Sequence, residues 1–141
     1  MKRSVLFVCI HNSARSQMAE AFLKALNKDL DVESAGIEPG RLNPLVVRVM
    51  QEIGIDISNN RAKSVQSFLD KGRSFDFVIT VCDDVSAERC PVFPGKTKRL
   101  HWPFDDPSAI DGSEEEKLEK IRIIRDEIRS KVEDWVKQGF I

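Results

Sequence analysis

A short apolar run leads directly into a cysteine and a polar loop near the start of the chain. The stretch reads Val5-Leu6-Phe7-Val8-Cys9-Ile10-His11-Asn12-Ser13-Ala14-Arg15-Ser16. A continuous apolar run is typical of a strand that is buried on both faces, as in a parallel sheet. We therefore expect a central strand that ends at Cys9, a turn through small polar residues, and a helix that begins near Ala14.

The predicted loop combines a nucleophile with groups that bind an anion. Because the first backbone N–H groups of a helix have no partner within it, several of them would point at one spot beside Cys9. These donors also stabilise a thiolate, so we expect Cys9 to be ionised and reactive. The Arg15 guanidinium can hold two oxygens of one anion, which lysine cannot do, and the Ser16 hydroxyl can point at the sulfur. We interpret Cys9 as the attacking group and the following residues as an oxyanion-binding loop: Ile10, His11, Asn12, Ser13, Ala14 and Arg15.

Length, charge and cysteine content restrict the possible classes of protein. The chain has 141 residues, 41% of them hydrophobic, which predicts one compact domain over residues 1–141. Its 22 basic and 23 acidic residues nearly balance, so we expect no nucleic-acid partner. No apolar run approaches the ~20 residues of a membrane span, and Met1-Lys2-Arg3 leads into a strand without a cleavage site, so we expect a soluble cytoplasmic protein. Three cysteines form neither a disulfide scaffold nor a metal-ligand pattern, and this favours thiol chemistry.

Further along the chain, apolar runs alternate with helical patterns. We predict strands over 32–35, 75–82 and 97–101, helices over 18–26 and 46–53, a short helix within 58–72, and a long amphipathic helix that starts at the capping box of Ser113 and Glu116. This alternation predicts a parallel sheet with helices on both faces. Ligands bind beyond the carboxyl ends of such strands, and Cys9 and Cys82 both lie at strand ends.

The second and third cysteines are placed differently. If the strands ending at Cys9 and Cys82 are neighbours, their backbones are ~5 Å apart, so a disulfide needs little movement. Cys90 follows in a polar segment that, if helical, separates it from Cys82 by ~12 Å. A bond between them requires that segment to rearrange, which should cost little. The simpler interpretations are that Cys82 is a small buried hydrophobe and that Asp105 and Asp106 form an ordinary turn or helix cap.

Several motifs occur in a familiar order over nearly the whole chain. They are Cys9-x5-Arg15-Ser16, Gln17-Met18-Ala19-Glu20, Ser34-Ala35-Gly36-Ile37, Ile55-Asp56-Ile57-Ser58, Cys82 with Cys90, and His101-Trp102 ahead of Asp106-Pro107. The combination closely resembles the thiol-dependent arsenate reductases of the low-molecular-weight tyrosine phosphatase fold. The resemblance implies a three-layer α/β/α, phosphotyrosine phosphatase I-like (flavodoxin-like) fold whose four-stranded parallel sheet has the strand order 2-1-3-4.

The resemblance also implies a role for each reactive residue. Cys9 would attack arsenic, with Arg15 and Ser16 holding the oxyanion and the thiolate and Asp106 acting as general acid. Cys82 would then attack the adduct, releasing arsenite and leaving a Cys9–Cys82 disulfide. Cys90 would take over the bond and carry it to the surface as Cys82–Cys90, for an external thiol reductant that is often thioredoxin. We expect no bound cofactor and a monomer, with phosphate and sulfate as competing oxyanions. In some relatives the second and third cysteines are one residue closer together.

Some relatives bind potassium near this loop through an asparagine, a glutamate, a serine and an aspartate. Asn12, Glu20 and Ser34 match three of these ligands, but the fourth position is Lys63. We expect the Lys63 ammonium to replace the ion, and hence no metal site.

Two other functions fit parts of the sequence. A phosphatase of the same fold would use the same loop, although the Asp106-Pro107 segment lacks flanking aromatics and the chain has no tyrosine. Residual phosphatase activity is still expected from Cys9 and Asp106. A non-catalytic oxyanion or redox sensor could use a Cys9–Cys82 disulfide as its switch. The reductant also stays open between thioredoxin, glutaredoxin with glutathione, and another small thiol.

Overall fold

The computed structural model describes residues 3–139. Met1 and Lys2 lie outside the described residues. The prediction that the chain leads into its first strand without a cleavage site partly depended on them. The strands are β1 (Ser4–Cys9), β2 (Asp31–Gly36), β3 (Phe77–Thr80) and β4 (Lys98–His101). The helices are α1 (Arg15–Leu26), α2 (Pro44–Gln51), α3 (Val65–Asp70), α4 (Asp84–Ala87) and α5 (Glu114–Lys137), with a 3-10 turn at Pro107–Ala109.

The four strands form one parallel sheet in the order β2-β1-β3-β4, as predicted. Cys9 pairs in register with Gly36 of β2, and Val8 pairs with Thr80 of β3. Because the strands are parallel, their carboxyl ends meet at one edge of the sheet. The ends of β1 and β3 therefore bring Cys9 and Cys82 to the same edge.

Side chains of β1 alternate between two apolar clusters, because successive residues of a strand point to opposite faces. Val5, Phe7 and Cys9 belong to the first cluster, which also contains buried residues of α1, α2 and α5. Leu6 and Val8 belong to the second cluster, which contains Val65 and Phe68 of α3. Helices thus cover both faces of the sheet, and the three-layer α/β/α architecture is confirmed.

The ends of the elements show where the sequence patterns were accurate. Ser113 and Glu116 form the predicted capping box at the start of α5. Helix α2 starts two residues earlier than its apolar pattern indicated, because the Asn43 side chain accepts a hydrogen bond from Leu45 N at 2.9 Å and Pro44 suits the first turn. Strand β3 is shorter than predicted and ends at Thr80. Within residues 3–139, no helix is both long and apolar enough to cross a membrane.

Candidate active site

The Cys9 sulfur lies at the end of β1 and is surrounded by hydrogen-bond donors. The backbone N–H of Asn12 donates to it at 3.1 Å, and the Ser16 hydroxyl lies 2.8 Å away. The Ser16 oxygen also accepts a hydrogen bond from the Asn12 side-chain amide at 2.8 Å. Since that oxygen is already an acceptor, its own proton is free to point at the sulfur. Both contacts therefore direct hydrogen-bond donors at the Cys9 sulfur.

Asn12 holds a backbone conformation that few residues adopt. It has a φ of 52°, in the left-handed region, which directs its N–H at Cys9. The fully buried Gln17 fixes this conformation, because its amide donates to the backbone and side-chain oxygens of Asn12 at 3.2 and 3.1 Å. The same amide donates to the carbonyl of Arg61, and Asn60 donates to Gln17 in turn. The role of Gln17 depends on residues more than forty positions away, so no local sequence pattern indicates it.

Gly36 lets the end of β2 approach the loop closely. A Cβ atom at this position would lie 2.8 Å from the backbone of Asn12, His11 and Ile10. No L side chain fits at that distance from fixed backbone atoms, so only glycine allows this packing. His11 supports the same junction, because its Nδ1 lies 2.8 Å from the carbonyl of Glu38. His11 therefore helps to shape the loop.

Arg15 is buried at the start of α1 and lines a cleft together with Ile10 and His11. Its Nη1 donates to the Phe104 carbonyl at 3.0 Å, and its Nη2 lies 3.9 Å from the Asp106 carboxylate. Asp106 also caps the 3-10 turn by accepting from Ser108 N at 2.9 Å. Asp106 therefore forms the ordinary cap that was the simpler prediction for this residue, and it also faces Arg15.

The cleft has a volume of about 320 Å³ and a mixed lining. Its lining includes Ile10, His11, Arg15 and Phe104 together with the carboxyl groups of Asp83, Asp105 and Asp106. The Ser86 hydroxyl beside Asp83 holds the pKa of that carboxyl below its usual range. The cleft thus combines a buried guanidinium with three carboxyl groups, and it is large enough for a tetrahedral oxyanion.

Cys82 lies two residues beyond the end of β3, in the same apolar cluster as Cys9. Burial raises the pKa of the Cys82 thiol to about 11, while the nearby Arg15 charge lowers it and a negative charge on Cys9 raises it. Cys82 is therefore a neutral thiol at physiological pH. Its interactions with both Cys9 and Arg15 place it beside the same site, and all three cysteines are free.

Cys90 differs from the sequence expectation. Its polar sequence neighbours predict a loosely held segment. In the structure, however, Cys90 is only 5% exposed and packs in the second apolar cluster with Phe75 and Phe93. Burial raises the pKa of its thiol. Cys82 belongs to the first cluster and Cys90 to the second. A bond between them therefore requires Cys90 to leave an apolar environment, which its polar sequence neighbours gave no reason to expect.

Glu20 is at the centre of the residues that match the potassium ligands of some relatives. The Ser34 hydroxyl donates to its carboxylate, and the Lys63 ammonium lies 3.4 Å from the same oxygen. Lys63 also donates its backbone N–H to the Asn12 side-chain oxygen at 2.8 Å. The four residues are thus brought together, with an ammonium group against the carboxylate.

The remaining loop residues shape the site through their backbones. Ser13 accepts a hydrogen bond from Asn43 N at 2.9 Å, and Ala14 is buried where α1 begins. A separate cavity of about 370 Å³, lined by Trp102, Trp135 and Lys131 among others, shares no lining residue with the cleft. Of the cavities described, the cleft is the one lined by Ile10, His11 and Arg15, which follow Cys9 in the chain.

A cysteine held at a strand end by loop donors, with a buried arginine facing an aspartate, defines a thiol-dependent site for oxyanions. The chain belongs to the low molecular weight phosphotyrosine protein phosphatase family, which matches residues 4–138. Within that family it is similar to the arsenate reductase of Bacillus subtilis (strain 168), with 43% identity over 136 residues that cover 96% of each chain.

Solved structures of arsenate reductases are also similar to this chain. One described as an arsenate reductase in the phosphate binding state has a TM-score of 0.76 and 30% identity, covering 96% of this chain and 98% of that one. The thioredoxin-dependent arsenate reductase of Corynebacterium glutamicum has a TM-score of 0.61 and 30% identity, over 94% of this chain and 62% of that one. The resemblance inferred from the sequence motifs is confirmed.

Proposed function

We propose that this protein is an arsenate reductase that uses its three cysteines in sequence. One observation carries the proposal: Cys9 and Cys82 lie at the ends of two adjacent strands, within electrostatic reach of each other and of the buried Arg15. A phosphatase needs only the first of these thiols. A second thiol beside the first allows a covalent adduct to be resolved by electron transfer rather than by water.

In the first step, the Cys9 thiolate attacks the arsenic of arsenate held by the loop N–H groups and Arg15. A sulfur–arsenic bond forms and one oxygen leaves. Asp106 supplies the proton that lets this oxygen depart as water, a role supported by its position 3.9 Å from Arg15 at the edge of the cleft. Ser16 and the Asn12 N–H stabilise the thiolate before attack.

In the second step, the Cys82 sulfur attacks the Cys9 sulfur. The sulfur–sulfur bond forms, the sulfur–arsenic bond breaks, and its electron pair stays on arsenic, so arsenate(V) leaves as arsenite(III). Because Cys82 is neutral in the resting protein, its proton passes to an oxygen of the departing arsenite as the attack begins, and the nearby Arg15 charge favours this ionisation. The two cysteines together supply the two electrons.

In the third step, the Cys90 thiolate attacks the Cys82 sulfur of the Cys9–Cys82 disulfide. The Cys82–Cys90 bond forms, Cys9 leaves as a thiolate, and the proton lost by Cys90 goes to solvent. An external dithiol then reduces the Cys82–Cys90 bond. Thioredoxin is our proposal for that dithiol, supported by similarity to a thioredoxin-dependent arsenate reductase.

The proposed enzyme needs no bound cofactor, and we propose that it works as a monomer in the reducing cytoplasm, where such thiols stay reduced. We further propose that the Lys63 ammonium takes the place of a potassium ion beside Glu20, so that activity does not depend on potassium. The contact between Lys63 and Glu20 supports this.

Three cysteine variants test the function. Cys9→Ser should abolish arsenate reduction and phosphate-ester hydrolysis, whereas Cys82→Ser and Cys90→Ser should abolish only multiple-turnover arsenate reduction. The assays follow arsenite production with thioredoxin, glutaredoxin with glutathione, or a small thiol, and p-nitrophenyl phosphate hydrolysis without them. A Cys90→Ser protein that turned over normally with thioredoxin would defeat the three-cysteine relay.

A phosphatase is the second candidate, favoured by membership of the phosphotyrosine phosphatase family. Cys9 and Asp106 suffice for transfer of a phosphoryl group to sulfur and its hydrolysis. Phosphate-ester hydrolysis that greatly exceeded arsenate reduction in kcat/KM, and that survived in Cys82→Ser, would favour this alternative.

A further inference from the structure

The segment between Cys82 and Cys90 has almost no apolar anchoring of its own. We call residues 83–90 the relay segment. Its helix α4 contains only Asp84–Ala87, all of them described, and none of these four residues is buried. Its hydrogen bonds between backbone groups are local, such as Ala87 N to Asp83 O at 2.9 Å and Cys90 N to Ala87 O at 3.2 Å. In addition, the Cys90 carbonyl accepts from Nη2 of Arg99 at 3.4 Å. At its end, the buried Cys90 side chain holds the segment to the sheet.

A hydrogen-bonded chain fixes the start of the relay segment. The Asp84 carboxylate lies 2.7 Å from Nε2 of His101, and Nδ1 of the same ring lies 2.7 Å from the Thr80 hydroxyl. His101 is the last residue of β4, and Thr80 is the last residue of β3. The histidine therefore connects α4 to the edge of the sheet at a fixed distance.

An ion pair fixes the other end of the relay segment. Arg89 contacts the carboxylate of Glu38, and this contact lowers the pKa of Glu38. The Glu38 backbone is itself joined to the oxyanion-binding loop: its N–H donates to Ile10 O at 2.8 Å, and its carbonyl lies 2.8 Å from the His11 ring. The end of the relay segment is thus tied, through Glu38, to the loop that binds the anion.

We propose that His101 and Glu38 are positioning residues that hold the relay segment closed, keep Cys90 in its apolar cluster, and set the rate at which Cys90 reaches Cys82. Only the statement about the rate at which Cys90 reaches Cys82 rests on the proposed function. The two contacts are half-exposed polar pairs, and each such pair shifts an equilibrium by about 1.5- to 5-fold. Contacts of this strength retain the segment at rest and still let it open during each turnover.

The first experiment measures how often Cys90 becomes accessible and needs no arsenate. In a Cys9→Ser/Cys82→Ser background, Cys90 is the one remaining thiol, and its alkylation by iodoacetamide is followed by mass spectrometry. His101→Leu and Glu38→Gln should each raise the rate by about 1.5- to 5-fold, and together by roughly two- to 25-fold. Arg122→Gln, which removes an exposed ion pair to Glu52 between α2 and α5, is the matched control and should leave the rate unchanged.

A charge exchange separates a positioning role from a general loss of structure. Glu38→Arg combined with Arg89→Glu restores an ion pair of reversed polarity and should return the alkylation rate towards that of the unaltered pair. A rate that stayed high in the exchanged protein would overturn the role of Glu38. An unchanged rate in the His101→Leu/Glu38→Gln protein would overturn the whole inference.

The second experiment uses the three-cysteine protein and one equivalent of arsenate, quenched in acid. Formation of the Cys82–Cys90 disulfide should be faster in the His101→Leu/Glu38→Gln variant, while formation of the Cys9–Cys82 disulfide should keep its rate. If arsenate produced no disulfide in any protein but Cys90 alkylation responded as expected, the proposed function would fail and the positioning role would stand. If disulfides formed but neither rate responded to the variants, the positioning role would fail alone.

Discussion

The stretch from Cys9 to Ser16, which contains the oxyanion-binding loop, and the relay segment each span eight residues, yet they are held in opposite ways. Within residues 9–16 five side chains are buried, whereas within residues 83–90 only Cys90 is buried. The loop is fixed by a buried polar network around Asn12 and Gln17, and the relay segment by half-exposed pairs at its two ends. Binding an anion requires donors that are already in place, while moving a disulfide requires a segment that can open.

The largest effect should come from filling the space beside Gly36. In Gly36→Ala, the new methyl group meets loop backbone at 2.8 Å, so the loop must shift. We expect kcat/KM for arsenate to fall about 100-fold, and the free energy of unfolding to fall by about 1–3 kcal/mol. Steady-state kinetics and urea denaturation measure the two effects.

Gly40→Ala is the control for this substitution. The nearest atom to its new Cβ would be the His11 Cβ at 3.3 Å, against backbone atoms at 2.8 Å for Gly36, so both quantities should change much less. Equal losses in the two variants would mean that the loop is not held as rigidly as the buried network indicates.

The ionisation of Cys82 should set it apart from an accessible thiol. Burial raises its pKa from 9.0 to about 11, so the folded state favours the neutral thiol. The resulting stabilisation is complete below the unfolded pKa and is lost as the pH rises from about 9 to about 11. In a Cys9→Ser/Cys90→Ser protein, which lacks the raising effect of Cys9 but keeps the burial, thiolate absorbance near 240 nm should rise with a midpoint above that of the urea-unfolded protein, which should lie near 9. Coincident midpoints would show that Cys82 is not buried in solution.

A smaller effect should follow from removing the amide that fixes Asn12. Gln17→Leu preserves most of the volume but leaves the Arg61 carbonyl and Asn60 without their partner. We expect the free energy of unfolding to fall by roughly 1–3 kcal/mol and kcat/KM to fall about tenfold. Gln66→Leu, which removes an exposed contact with Asp70, is the control and should change neither quantity. A Gln17→Leu protein with normal kcat/KM would show that the loop keeps its conformation without this amide.

The sequence predicted those features that depend on neighbours along the chain. The apolar run before Cys9 indicated the central strand, and Ser113 with Glu116 indicated the start of α5. The positions of Gly36 and Gln17 against the loop depend on contacts between distant segments, so no local pattern indicated them. The burial of Cys90 was missed for the same reason: its neighbours in sequence are polar, while Phe75 reaches it from another part of the chain.

The packing of Cys90 also bears on the energy of the disulfide. If Cys90 bonds to Cys82, the space it fills beside Phe75 and Phe93 is vacated, and that packing is lost in the oxidised protein. Reduction lets Cys90 return, so refilling the space adds to the driving force for reduction. The reduction potential of such a disulfide is higher than that of one whose cysteines stay buried in both states. The apolar cluster on the second face of the sheet would thereby make the oxidised enzyme a better electron acceptor for its reductant.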